Sequence, residues 1–283
     1  MNDLAVLITI YNDQEGLTTA LDSINEPDNS FTVVIVDGAS DENPVIDHDR
    51  YPFEITLIRQ EVRSGIIGGL NEGLEYIRDK GFKAVARLDA GDRQKRGRLF
   101  KQYQRLEEVD DLAMVGSNAI YFGEESGEVL FTTELPLKTK QIRRWCVFRT
   151  TFIHPAVMIR LDRIDDGLHY ESKYLHIEDY VLFTKIAERY ETENFEEPLV
   201  ECLVRESGIS LSNDRAQLIS GLRHHIANPR LLNPLWYAYM FKRTFYLITP
   251  FSLRVKAKKL LGFVKSPGQK QSASESATPS AAK

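Results

Sequence analysis

Strand-length apolar runs alternate with helical patterns over the first ninety residues, and this alternation constrains the fold more than any other feature of the sequence. The predicted strands are Leu4–Ile10, Thr32–Val36, Ile55–Ile58 and Ala84–Leu88. Apolar residues recur at helical spacing between the strands, at Leu17, Ala20, Leu21 and Ile24 and again at Ile66, Leu70, Leu74 and Ile77. The pattern predicts an α/β fold in which helices flank a mostly parallel sheet and ligands bind beyond the carboxyl ends of the strands.

Length and charge divide the chain into an acidic body and a basic C-terminal region. A length of 283 residues with 42% apolar content suits one large domain with an appendage. Residues 1–214 contain 24 basic and 40 acidic residues, net −16, whereas residues 215–283 contain 12 and 1, net +11. We predict a main domain over 1–212, a basic helical region over 213–265 and a disordered tail, rich in Ser, Ala, Pro and Gln, over 266–283.

The basic C-terminal region is also rich in aromatic residues. These are Trp236, Tyr237, Tyr239, Phe241, Phe245, Tyr246, Phe251 and Phe263. A basic segment indicates an anionic partner. The interleaved aromatics favour a membrane surface over nucleic acid. The alternative is a pair of helices that packs its aromatics on the main domain and keeps its lysines in water.

Neither the first apolar run nor the two cysteines indicate export. Leu4–Ile10 is short and follows Asp3, so we expect neither a signal peptide nor a spanning helix there. Cys146 and Cys202 are far apart and lack zinc-ligand spacing. We therefore expect a cytosolic protein with reduced thiols.

The segments that follow the first two strands do not carry dinucleotide or P-loop motifs. The first strand leads into Thr9–Asp13 and the second into Asp37–Asp41, and neither segment matches G-x-G-x-x-G or a P-loop. Asp37 stands where it can accept hydrogen bonds from a base or a ribose. The alternative is an ordinary Asp-Gly turn in which Ser40 or Asp41 caps the next element.

Two carboxylates follow the fourth strand, in the run Arg87–Asp92. Asp89 and Asp92 stand three residues apart at the end of a buried strand, where unpaired acids are costly. A divalent cation such as Mg²⁺ or Mn²⁺ satisfies such a pair, with diphosphate oxygens and water completing its shell. The alternative is that both acids cap the basic helix starting near Arg93, which explains Asp92 but leaves Asp89 unexplained.

Ordered motifs at the ends of these elements carry a family resemblance. In the first half they are Ile8–Asn12, Val36–Asp41, Arg63–Gly73 and Arg87–Asp92. In the second half they are Phe152–Met158, His176–Tyr180 and Arg205–Ser210. The set resembles the family 2 inverting glycosyltransferases over roughly residues 4–212. The resemblance implies a GT-A type fold, with a nucleotide-sugar half over residues 1–110 and an acceptor half over residues 111–212.

The resemblance also implies roles for individual residues. The backbone around Thr9 and Tyr11, together with Asp37, would hold the base and ribose. Asp89 and Asp92 would serve the ribose, the diphosphate and a divalent metal, Mn²⁺ or Mg²⁺. This chain departs from the Asp-Ala-Asp-Asp version of the loop because Gly91 replaces a carboxylate.

Asp179 would be the catalytic base, while other residues of the second half would contact substrate. By resemblance, His154, Glu178 and Arg205 are expected substrate contacts, and so is Asn71 of the first half. Each has an alternative. Glu178 and Asp179 can simply favour the positive end of a helix. His154 can be structural in an extended His-Pro segment, and Asn71 and Arg205 can be solvated surface residues.

The expected activity is metal-assisted, inverting transfer of a hexose from a nucleotide-sugar to a saccharide or lipid-linked acceptor. UDP is the default nucleotide. The implied setting is bacterial surface-polysaccharide or lipopolysaccharide synthesis by a peripheral protein on the inner face of the cytoplasmic membrane, without a nucleic-acid partner. The alternative is a catalytically silent nucleotide-sugar-binding protein or a membrane scaffold.

Overall fold

The computed structural model describes residues 1–164, 168–205 and 214–249. Its strands are β1 (Leu4–Ile10), β2 (Thr32–Asp37), β3 (Glu54–Arg59), β4 (Ala84–Arg87), β5 (Arg93–Gln94), β6 (Leu112–Gly123), β7 (Val129–Thr132), β8 (Met158–Arg160) and β9 (Glu191–Val204). Its α-helices are α1 (Gln14–Asp22), α2 (Gly65–Asp79), α3 (Arg98–Glu108), α4 (Thr139–Trp145), α5 (Glu178–Arg189), α6 (Asp214–Ala227) and α7 (Pro234–Ile248).

All nine described strands belong to one sheet, in the order β3-β2-β1-β4-β8-β6-β9-β5, with β7 paired to β6. The β1, β2, β3 and β4 neighbours are parallel, as the alternation of strands and helices predicts. Strands β5, β7 and β8 join antiparallel, so the whole sheet is mixed. The predicted α/β fold of GT-A type is confirmed, and the sheet runs without a break through both halves of the main domain.

The core lies on both faces of this sheet. Alternate residues of β1 point to opposite faces. Leu4, Val6 and Ile8 pack with residues of α1 and α3, whereas Ala5 and Leu7 pack with residues of α2 and α5. A strand that is covered on both faces reads as a continuous apolar run, which is why β1 and β2 could be located from the sequence.

Helices α6 and α7 dock on the turn that follows α4. Three consecutive carbonyl oxygens of that turn each contact a different side chain from the elements that pack against it. The Tyr180 hydroxyl donates to Cys146 O (2.6 Å), His225 Nε2 lies 3.1 Å from Val147 O, and Lys242 Nζ donates to Phe148 O (2.9 Å). Carbonyl groups at a helix C-terminus lack intrahelical partners, so the contacts of His225 and Lys242 hold α6 and α7 against the main domain.

Two boundaries predicted from the sequence lie outside the described residues. The border at residue 212 and the predicted disordered tail over 266–283 both fall there, as does the Ser207–Ser210 part of the late loop. Within the predicted C-terminal region, residues 213–265, the structure describes helices α6 and α7 as far as residue 249. None of the helices within the described ranges has both the length and the hydropathy needed to cross a bilayer.

Candidate functional site

The segments after β1, β2 and β4 meet at one edge of the sheet because these neighbouring strands are parallel. They carry Tyr11, Asp37 and Asp89. The N-terminus of α5 brings Glu178 and Asp179 into the electrostatic range of Asp89. The structure therefore gathers acids that are up to 142 residues apart in the sequence.

Asp37 is fully buried at the end of β2 and is paired inside the protein. Its Oδ2 accepts from Arg59 Nη1 (2.9 Å), while the Ser40 hydroxyl and backbone N–H donate to Oδ1. Arg59 Nη2 also donates to Ser40 O (2.6 Å). Ser40 thus acts as a donor to Asp37. A base or ribose that binds to the Asp37 carboxylate would find it already paired with Arg59.

The turns after β1 and β2 are tied together by Asn12. Its backbone has φ 51°, in the left-handed region that asparagine tolerates better than most residues. The Asn12 N–H donates to Ser40 Oγ (2.8 Å). Its side-chain amide exchanges two hydrogen bonds with Asp41, both 2.8 Å long. These bonds fix the shape of the edge on which the predicted nucleotide contacts stand.

Tyr11 and Thr9 differ in what they can offer a ligand. The Tyr11 side chain is 39% exposed, and the Arg63 guanidinium lies 3.8 Å from its ring centroid. This cation–π contact makes Arg63 part of the same surface. The Thr9 hydroxyl is buried and has no hydrogen-bond partner among the described residues, so Thr9 offers its backbone rather than its hydroxyl.

Arg87, the last residue of β4, holds the Asp89 carboxylate. Arg87 is buried, and its guanidinium donates to Asp89 Oδ1 (2.5 Å) and to the Leu7 carbonyl. His154 Nδ1 lies 3.7 Å from Asp89 Oδ2. Both oxygens of Asp89 therefore face positive or donor groups of the protein, which explains this acid better than helix capping does.

The contacts of His154 fix its tautomer. Its Nε2 lies 3.4 Å from Arg87 Nε and 2.9 Å from the Tyr170 hydroxyl. Since a guanidinium nitrogen can only donate, Nε2 accepts and the ring proton is on Nδ1, which faces Asp89. Burial, reinforced by the charge of Arg87, lowers the pKa of His154, although Asp89 opposes this. The His154 ring thus directs Nδ1–H towards Asp89 Oδ2, at 3.7 Å, which is beyond hydrogen-bond distance.

Asn71 holds the backbone of Tyr170. Its Nδ2 donates to Tyr170 O and its Oδ1 accepts from Tyr170 N–H, each at 2.8 Å. The expected contact of Asn71 with substrate stays a prediction. The described contacts give it a positioning role, because Tyr170 in turn contacts His154.

Replacing Asn71 with aspartate is expected to lower the free energy of unfolding by about 1–3 kcal/mol. The carboxylate loses the Nδ2 donor and places negative charge against the Tyr170 carbonyl. Urea denaturation of the variant and the wild-type protein measures the change. The exposed acid Asp110, replaced by asparagine, serves as a control that should leave stability unchanged. An Asn71→Asp variant as stable as the wild type would contradict the positioning role.

Asp92 is buried against the end of β9. Antiparallel pairing of β5 with β9 brings Leu203 N–H within 2.8 Å of Asp92 Oδ1. Burial, and after it the nearby charge of Asp89, raises the pKa of Asp92 to about 8. A cation bound between the two acids would favour the ionised form of Asp92 and offset the repulsion between the carboxylates.

Position 91 does not accept a third carboxylate without rearrangement. Gly91 has φ 88°, and a Cβ there would lie 2.8 Å from Arg205 Nη2. Arg205 is fixed by Asp13 Oδ2 (2.6 Å) and Glu124 Oε1 (3.2 Å). The described residues accordingly contain no cluster of three or more His, Cys, Asp or Glu side chains arranged to hold a metal.

Asp89 and Asp92 nevertheless suit a divalent cation whose coordination shell is completed by the substrate. Mg²⁺ and similar ions are commonly held by one or two carboxylates, with phosphate oxygens and water completing the shell. Asp92, which is buried and has a raised pKa, and the nearby Asp89 provide such a pair of carboxylates. Two carboxylates are too few for a closed protein cage, so a cation held by them would need phosphate oxygens and water to complete its shell.

Asp179 and Glu178 occupy the first turn of α5. The Tyr180 N–H donates to Asp179 Oδ1 (2.7 Å). Burial raises the pKa of Asp179, His154 opposes the rise, and Glu178 adds to it. Burial likewise raises the pKa of Glu178, whose Oε2 has no hydrogen-bond partner among the described residues. A half-buried carboxylate with a raised pKa is suited to accepting a proton.

Sequence reasoning missed Arg59, Arg63, Arg87 and Tyr170. Arg87 carried a signal, because an arginine inside the apolar run of β4 must be paired. Arg59 ends β3 and Arg63 follows it, much as the predicted site residues stand at strand ends, but basic residues at such positions are common on any surface. Tyr170 carried no sequence signal, since its role comes from contacts with Asn71 and His154.

Comparisons with known proteins bear on the family and the fold of this chain. The family model "Glycosyl transferase family 2" matches residues 5–168. An uncharacterized glycosyltransferase of Methanocaldococcus jannaschii is 26% identical over 223 residues, which are 76% of this chain and 75% of the relative.

Solved structures share the fold at low identity. Residues 1–349 of S. aureus TarS in complex with UDP-GlcNAc superpose with a TM-score of 0.61 at 18% identity, covering 91% of this chain and 77% of that one. The mannosyltransferase PcManGT of Pyrobaculum calidifontis, in complex with GDP-Man and Mn²⁺, gives 0.59 and 18%, covering 92% and 74%. The chain spans 43% of a longer TarS structure, with a TM-score of 0.59 at 17% identity.

Proposed function

The chain belongs to glycosyl transferase family 2, and we propose that it is an inverting enzyme that moves a hexose from a nucleotide-sugar to a hydroxyl of a saccharide or lipid-linked acceptor. One observation carries the proposal. Asp89 and Asp179 both lie within electrostatic range of His154 at one edge of the sheet, and Asp92 lies within electrostatic range of Asp89. UDP is the proposed nucleotide, and the neighbours crystallised with UDP-GlcNAc and GDP-Man support a nucleotide-sugar donor in general.

The donor half of the reaction needs positive charge at the departing diphosphate. A divalent cation, Mn²⁺ or Mg²⁺, held by Asp89 and Asp92 would supply that charge when bound. Arg87 donates to Asp89 Oδ1 and His154 Nδ1 lies 3.7 Å from Asp89 Oδ2, so both residues fix the direction of the carboxylate. Arg205, beside Gly91, adds a guanidinium that suits phosphate oxygens.

The acceptor half needs a base. In a single displacement, the acceptor hydroxyl attacks the anomeric carbon while its proton passes to a carboxylate within hydrogen-bond reach. We assign this role to Asp179, whose raised pKa increases its basicity. One displacement inverts the anomeric centre, so an α-linked donor yields a β-linked product, and no carboxylate nucleophile is required.

The proposed setting is bacterial surface-polysaccharide or lipopolysaccharide synthesis at the inner face of the cytoplasmic membrane. The family motifs and the basic C-terminal region support this setting. A lipid-linked acceptor would be met at the membrane surface, which is consistent with the net charge of +11 over residues 215–283.

A thermal-shift screen tests the donor site. Saturating UDP-sugar with Mn²⁺ or Mg²⁺ is expected to raise Tm by about 5 °C or more, because a ligand that binds only the folded state stabilises it. Chelator, or Asp89→Ala, should abolish the shift because each removes part of the cation site. GDP- and dTDP-sugars run in parallel identify the nucleotide.

The matched control is Asp110→Ala, since Asp110 is an acid that is 91% exposed. It should keep the full shift. A shift that survives chelator would overturn the metal part of the proposal. No shift with any donor would overturn the donor site itself.

A further inference from the structure

Helix α7 packs one face against α6 and, through Lys242, against the main domain. Tyr239 is 1% exposed and stacks on the His225 ring at 3.7 Å, with an interplanar angle of 13°. Trp236 Nε1 donates to the His225 carbonyl (3.1 Å), and Lys242 reaches the turn after α4. These contacts fix the rotation of α7 about its own axis.

The opposite face of α7 carries an exposed apolar stripe. It consists of Tyr237, Phe241, Phe245 and Ile248, at spacings of four, four and three residues. Such spacing places all four side chains on one side of a helix, roughly opposite Tyr239. Phe241 is 76% exposed and Ile248 is 78% exposed. The Tyr237 hydroxyl donates to Leu231 O (3.1 Å), so the loop before α7, in which Leu231 and Leu232 are both exposed, meets the stripe at Tyr237.

Tertiary contacts therefore divide the C-terminal aromatics into two sets. Packing inside the protein, against His225 of α6, accounts for Trp236 and Tyr239 and leaves the stripe unexplained. Single exposed apolar residues are ordinary, but a contiguous stripe of large ones marks an interaction surface.

Charge identifies the partner. Residues 215–283 contain 12 basic residues and 1 acidic residue, and residues 250–283, which follow α7, contribute 7 of the basic ones. Pairing with a second copy would bring two strongly positive regions together. An anionic bilayer instead offers negative charge for the basic residues and an apolar interior for the stripe.

We propose that the stripe, together with Leu231 and Leu232, is a membrane-docking surface for anionic lipid. In this arrangement α7 lies in the plane of the bilayer surface. Its stripe enters the headgroup region while Tyr239 and Trp236 hold α7 against α6 and Lys242 holds it against the main domain. The inference deepens the proposed location of the enzyme and does not depend on the donor site.

Vesicle co-sedimentation of the full chain tests this surface. The wild-type protein should pellet with vesicles of phosphatidylcholine and phosphatidylglycerol and much less with phosphatidylcholine alone. Phe241→Glu/Phe245→Glu should lower the vesicle-bound fraction at least about tenfold, because it replaces two apolar groups that would enter the bilayer with charges. Both residues are exposed, so Tm should stay near the wild-type value.

The matched control is Val129→Glu/Ile226→Glu, which makes the same change at two exposed apolar residues outside the stripe. It should bind vesicles as the wild type does. Equal binding by the stripe variant and the wild type, or no binding by the wild type, would overturn the proposal. A wild-type dimer without vesicles that the stripe variant converts to a monomer in analytical ultracentrifugation would also overturn it, in favour of self-association. Donor-induced thermal shifts of the same variants report separately on the proposed function.

Discussion

Replacing Asp179 with asparagine is expected to lower kcat by about 10³-fold and to leave the donor-induced thermal shift intact. Asparagine keeps the size of the side chain and can still accept from Tyr180 N–H through its Oδ1. It cannot take the proton of the acceptor hydroxyl. The variant should therefore bind donor normally and fail at the chemical step, and the rate of nucleoside diphosphate release measures this.

The pH dependence of kcat of the wild-type enzyme should report the ionisation of Asp179. Burial raises the pKa of Asp179 above its ordinary value of 3.8. The base must be ionised to accept a proton, so kcat should fall as the pH drops through this raised pKa. The acid limb of the profile is thus expected above the range of an exposed aspartate.

The neighbouring acid Glu178 provides the matched control. It shares the first turn of α5, so Glu178→Gln makes the same chemical change one residue away. We expect this variant to lose less activity than Asp179→Asn. If Asp179→Asn retains turnover within about tenfold of the wild type, or if the two variants are equally impaired, Asp179 is not the base.

The first half of the fold could be predicted because its signals are local. Strands β1 and β2 are buried on both faces, and helix α2 shows its apolar face at regular spacing. The second half gives weaker signals. Strand β9 spans Glu191–Val204 with acids at many positions, and it forms by pairing with β6, about 80 residues away along the chain. Such pairing is a tertiary effect that local sequence does not encode.

In the candidate site, too, local features could be predicted from the sequence and tertiary contacts could not. Strand ends could be located, so the positions of Asp37 and Asp89 followed from the sequence. Their partners could not be predicted, because the pairing of Asp37 with Arg59 depends on the β2–β3 register. In α7, composition does not separate Tyr239 from Phe241. One is buried and the other exposed because the docking contacts fix the rotation of the helix.

Replacing Asp92 with asparagine is expected to stabilise the protein at pH 8 in chelator by about 2 kcal/mol while abolishing the metal-dependent donor shift. The pKa of Asp92 is raised to about 8 by burial and by the charge of Asp89, from an ordinary value of 3.8. Between these two pH values the folded protein binds more protons at this group than the unfolded chain does. The contribution of Asp92 to the free energy of unfolding is therefore fully present below pH 3.8 and is lost as the pH rises towards 8.

Asparagine is neutral throughout this range and can still accept from Leu203 N–H, so the variant should lack this loss. Urea denaturation at pH 6 and pH 8, with chelator and with Mn²⁺, measures the difference. Asp110→Asn, at an exposed acid, should keep the wild-type pH dependence. An Asp92→Asn variant that loses stability with pH as steeply as the wild type would show that Asp92 is ionised without a cation. A gain in stability coupled to a loss of metal-dependent donor binding would instead mean that this buried acid is kept for function at the expense of stability.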